Sequence, residues 1–111
     1  MASTRATFAH LTKPGIGNGT VDVDGVEFEI RPLSRGEQIE VQEVRERDGL
    51  AAADALLVHY GLVDPALSVE QVAAWFDTIG QGPAAAAVSQ GIGTISGMFR
   101  DSGKAAYKSA G

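Results

Sequence analysis

Hydrophobic and polar positions change rhythm several times along the chain, and each change marks an element boundary. Over residues 20–31 they alternate: Val21 and Val23 flank an acid, Asp24-Gly25 follows, and Val26, Phe28 and Ile30 alternate with Glu27 and Glu29. A period of two marks a strand with one apolar face, and Asp-Gly suits a two-residue turn needing positive φ at both positions. The pattern predicts a β-hairpin with Val23 opposite Val26, Val21 opposite Phe28, and Asp22, Glu27 and Glu29 facing water. A lone two-stranded hairpin is barely stable, so its apolar face needs cover from helices or from a partner's sheet.

From Ser34 onward the period becomes helical. Ser34 and Glu37 stand in capping-box spacing, in which hydroxyl and carboxylate satisfy backbone N–H groups at a helix start. A helix over 35–47 then carries Ile39, Val41 and Val44 as a weak apolar stripe, and Asp48-Gly49 breaks it. A second, over 50–60, places Ala53, Leu56, Leu57 and Tyr60 on one face, with Gly61 as its C-terminal cap. The segment GLVDPALS reads as a link, and Ser68 with Gln71 repeats the capping box. A third helix over 69–79 aligns Val72, Trp75, Phe76 and Ile79; Gly80-Gln81-Gly82 closes it, and Pro83 suits the first turn of a fourth. That last helix repeats Val88, Ile92, Ile95 and Phe99 and is interrupted by Gly91 and Gly93. Each glycine costs of order 1 kcal/mol relative to alanine in a helix, so the pair marks a kink or a close backbone approach.

The fold class expected is α+β, mostly α: an N-terminal β-hairpin followed by about four short helices. Residues 19–99 form a single small domain, between a flexible arm over 1–18, which ends in a Gly-rich turn, and a loosely ordered tail over 100–111. A chain of 111 residues has room for one modest core.

Charge sharpens this picture. The net charge is −5, but the segments 1–18 and 100–111 are each +2, and residues 19–99 hold thirteen acids against four bases, or −9. A phosphate backbone is repelled by such a centre and meets no basic stripe, which argues against nucleic acid. No apolar run is long enough to span a bilayer and the first residues lack a signal-peptide pattern, so the expectation is a soluble, cytoplasmic chain without a membrane partner.

Chemistry finds little to work with. There is no cysteine, and the two histidines, His10 and His59, belong to no metal-binding spacing. Ser96 lacks the strand-to-helix elbow of a nucleophilic serine, and His59 reads as a surface or boundary residue. The expectation is no enzyme, no metal and no cofactor. What remains are candidate partner-binding residues. Glu40, Glu43 and Glu46 continue from Glu37 as an acidic strip, which is either solvation or a rim attracting a basic partner. Trp75 and Phe76 are core anchors or interface hot spots. Gly91 and Gly93 bare a length of backbone against which another helix could lie.

Taken in order, these residues resemble the tail assembly chaperones of long-tailed bacteriophages. The resemblance rests on Phe28, Ile30, Leu33 and Ser34; on Asp64, Pro65, Leu67, Ser68 and Glu70; and on Ile92, Ile95, Ser96 and Gly97, where Ile95 replaces a commoner leucine. It covers roughly residues 20–99. It implies a protein that binds the tape measure protein, an elongated helical partner, in the host cytoplasm while the tail is built. It implies an encounter with the tail tube protein and absence from the mature virion. Self-association stays open. The alternative is a phage structural subunit, such as a tail completion or head-tail connector protein, with a small regulatory interaction protein behind it.

Overall fold

The computed structural model describes residues 17–98. Strands β1 (Gly19–Val23) and β2 (Val26–Ile30) are followed by helices α1 (Arg35–Asp48) and α2 (Leu50–Gly61), a short strand β3 (Leu62–Asp64), and helices α3 (Val69–Asp77) and α4 (Gly82–Ile95). This is an α+β fold, mostly helical, with the hairpin ahead of the helices. The expected arm, apart from Gly17 and Asn18, lies outside the described residues, as do Phe99 and the expected tail.

The hairpin has the predicted register, Val23 with Val26, Asp22 with Glu27 and Val21 with Phe28. Asp24 and Gly25 both take positive φ, 52° and 84°, as a two-residue hairpin turn of the favoured twist requires. The Asp22 side chain accepts the Gly25 N–H at 3.1 Å across the turn. β3 extends the sheet antiparallel to β2, giving the order β1-β2-β3, with an irregularity between Glu29 and Ile30. The segment expected to be only a link thus supplies a strand. Leu62 pairs with Ile30, and the Arg31 N–H donates to the Gly61 carbonyl at 2.8 Å.

α2 is the helix around which the others assemble, in contact with α1, α3, α4 and β3; α4 touches both the sheet and the helices α2 and α3. Ile30, Val58, Val72, Val88 and Ile92 are fully enclosed, each contributing about 1.5–3 kcal/mol by burial. Their positions explain how the observed faces differ from the expected stripes. α2 buries Ala53, Ala55, Leu57, Val58 and Gly61, while Leu56 and Tyr60 are only half-buried. A helix contacted by four elements needs a wider apolar face than one stripe. α1 meets the helical body through α2, so Val41 is buried and Ile39 remains 47% exposed.

Two further corrections concern helix ends. α3 stops at Asp77, where Thr78 takes an extended conformation and its side-chain hydroxyl donates to the Ala74 carbonyl at 2.7 Å. Ile79 therefore leaves the Val72–Trp75–Phe76 face and is 99% exposed in the turn before α4. Gly61 is not a left-handed cap, because the cap residue is Leu62 with φ −88°. Gly61 is the last residue of α2, and a Cβ there would run into the Ile92 side chain of α4. The glycine is required by close packing, not by a turn.

Candidate protein-binding surface

The two predicted capping boxes position the framework beneath any surface. Ser34 accepts the Glu37 N–H at 3.2 Å while the Glu37 carboxylate accepts the Ser34 N–H at 2.9 Å. Ser68 and Gln71 do the same at 3.1 and 2.9 Å. Sequence reasoning missed the guanidinium of Arg31, which grips both Glu37 oxygens at 3.0 and 2.7 Å. These hydrogen bonds pull the Glu37 carboxyl down to about 2, against its partial burial. Arg31 was visible as a base six residues ahead of Glu37, but no local helix spacing pairs them.

Distant segments are joined by polar contacts. The Ser96 hydroxyl accepts the Leu33 N–H at 2.8 Å, and the Gln38 side-chain amide donates to the Leu33 and Ser96 carbonyls at 3.2 and 3.1 Å. His59, read as a boundary residue, is half-buried and its Nδ1–H donates to the Leu67 carbonyl at 2.8 Å.

The candidate binding residues separate into three groups. Glu40, Glu43 and Glu46 are exposed on α1. Glu40 is occupied by the Tyr60 hydroxyl, which donates to it at 2.6 Å and whose pKa rises through that bond. Glu46 accepts from the Gln42 amide at 3.4 Å. Trp75 and Phe76 are half-buried and pack against the core; Trp75 lies with its ring centroid 5.4 Å from Phe28 and donates its indole N–H to Gln81 at 3.2 Å. Gly91 and Gly93 are internal. A Cβ on Gly91 would meet Val21 at 2.6 Å and Ile30 at 3.3 Å, so the close approach is made by the protein's own hairpin. Gly93 is buried in α4, which runs through both glycines without a break. The bare backbone expected to receive another helix is already covered.

A different surface emerges where the hairpin tip meets the α3–α4 turn. An open groove of about 550 Å³ is lined on one side by Val23, Asp24, Val26 and Phe28, and on the other by the turn residues Gly80 and Gln81 and by Pro83 and Ala84 in the first turn of α4. Val26 is 55% exposed, and Ile79 projects from the same turn. Trp75 supports this groove through Phe28 and Gln81 without lining it. The acid on its edge is Asp24, and none of Glu40, Glu43 and Glu46 lines it.

Comparison of the chain with protein-family models, with curated proteins and with solved structures finds no match. Among the described residues, no helix is long and apolar enough to cross a membrane.

Proposed function

We propose that this chain is a protein-binding module of the tail assembly chaperone type, which takes up a segment of the tape measure protein during tail construction. The observation that carries this reading is how the resembling motifs are used. Ile30 and Ile92 are enclosed in one core, Leu33 and Ser96 are hydrogen-bonded to each other, and Ser34 and Ser68 each cap a helix. Residues from three separated stretches thus serve one framework, as a shared fold would require. The groove at the hairpin tip supports the reading further, since apolar side chains left open on an acidic body suit a transient partner.

In this reading the protein acts in the host cytoplasm without cofactor or catalysis and leaves before the virion matures. The test is co-expression of the full chain with fragments of a candidate tape measure protein. The expected result is a fragment that becomes soluble and co-purifies, with recovery falling about tenfold in a Val26→Asp, Ile79→Asp double variant. Both positions are exposed, so the variant leaves the core intact. A fragment equally soluble alone, and never co-purifying at micromolar concentration, would overturn the chaperone reading. A ring formed by the chain alone and retained in the virion would replace it with the connector.

A further inference from the structure

β1 is the outer strand of the sheet, and among the described residues nothing pairs with its far edge. In a two-residue hairpin the pair flanking the turn exchanges both backbone hydrogen bonds, and such pairs alternate along the ladder. With Val23 opposite Val26, the backbone groups of Val23, Val21 and Gly19 point toward β2. Those of Thr20 and Asp22 point outward, leaving two N–H and two C=O groups in a row. Such edges are ordinarily blunted by lysine, proline or a bulge. β1 has no lysine or proline, and the sheet's irregularity lies on the other side, at Glu29 and Ile30.

The side chains indicate what this edge would accept. On the solvent face Asp22 lies directly across from Glu27, and Glu29 lies across from Asp64. Like charges in opposed positions destabilise a sheet, and residues 19–30 contain no lysine or arginine to offset them. On the other face Ile30 is 1% exposed, Val21 and Val23 are half-buried and Val26 is 55% exposed, so cover thins toward the hairpin tip and leaves Val21 and Val23 partly open. A second copy of the chain would bring further carboxylates onto the acidic face. An extended segment with Lys or Arg at every second position would neutralise that face, while intervening Val or Ile residues close over Val21 and Val23.

We propose that the outer edge of β1 accepts such a basic, alternating segment of a partner protein as a fourth antiparallel strand. Its ammonium or guanidinium groups lie beside Asp22, with Glu27 one strand further in on the same face, and its main chain bonds to Thr20 and Asp22. This inference stands on the sheet alone and does not depend on the tape measure reading.

The test uses fluorescence anisotropy with the full chain and three labelled heptapeptides, at about physiological ionic strength. The first alternates Lys with Val, the second alternates Glu with Val, and the third has the first composition with its lysines grouped at one end. The first should bind at least about tenfold more tightly than the other two, because it alone matches both charge and alternation. Thr20→Pro removes an outward N–H while sparing the β1–β2 ladder, and should abolish that preference with unchanged circular dichroism. Asp22→Lys, which keeps the backbone intact, should weaken the lysine peptide and strengthen the glutamate peptide. Equal binding of the grouped peptide would reduce the effect to unspecific charge and overturn the proposal. So would absence of binding, or a sedimenting dimer that disappears in Thr20→Pro.

Discussion

Two helices of this protein begin in the same way and are held in place differently. β2 runs through Pro32 and Leu33 to the Ser34 cap of α1, and β3 runs through Pro65 and Leu67 to the Ser68 cap of α3. The first start is fastened by polar groups: Arg31 holds Glu37, Ser96 holds Leu33, and Gln38 spans Leu33 and Ser96. The second uses an uncharged box, one histidine bond to Leu67, and burial of Val72 in the helix's first turn. A local cap fixes where a helix begins. The groups that tie that cap to the rest of the protein decide which conditions disturb it.

The harshest test strains the residue the two starts share. Gly61 accepts from Arg31 on one side and leads directly into β3 on the other. Gly61→Ala drives a methyl group into Ile92 and should cost about 1–3 kcal/mol, read as a lower denaturant midpoint. An unchanged midpoint would mean that α2 and α4 can separate without loss.

Next in size, Ser96→Ala attacks the first start alone. It leaves the Leu33 N–H without its acceptor, a loss of about 1–2 kcal/mol. The thermal midpoint should fall by several degrees. Glu37→Gln makes the first box a copy of the second. The cap survives, since glutamine serves at the same position in α3, but the ion pair with Arg31 is lost. Because Arg31 is partly open to solvent, the expected cost at neutral pH is about 1 kcal/mol or less.

The same variant carries a pH signature. Glu37 is held at about 2, below its ordinary 4.5. Its contribution is therefore complete above pH 4.5 and lost as pH falls toward 2. Stability of the wild-type chain should decline through that window more steeply than that of Glu37→Gln. Parallel curves would show that Arg31 contributes nothing. The smallest effect is expected from Gln71→Glu, which puts a carboxylate in the second box: within about 0.5 kcal/mol at neutral pH. A cost as large as that of Glu37→Gln would mean the two starts are not distinguished by charge.

What could be read from the sequence was local. Asp24-Gly25 fixes its turn through two neighbouring residues, and Ser34 and Ser68 need partners only three residues on, so all were legible. Ile79 continues the period of Val72, Trp75 and Phe76, and nothing in that period announces that Thr78 turns the chain away. β3 is too short to alternate, and becomes a strand only because β2 lies beside it. Gly61 follows the last periodic residue of α2, where cap and close packing leave the same trace. Among the candidate site residues, Gly91 does meet a close approach, but from the Val21 and Ile30 side chains of the protein's own hairpin rather than from another backbone. The groove draws on segments more than fifty residues apart, Val23 and Pro83 among them, and no window of sequence joins them.

The placement of β3 also sets an order of events as the chain folds. Ile30 and Leu62 pair in the sheet, yet α1 and α2 lie between them in the chain. The β1–β2 turn and the α1–α2 pair close over short distances and can form early, whereas joining β2 to β3 waits until the intervening helices have compacted the loop. α4 comes last among these elements and touches β1, β2, α2 and α3. On a ribosome, therefore, a nascent chain would hold an open interior until the stretch around Ile92 has emerged. Through that interval its valines and leucines are exposed to whatever binds unfolded chains.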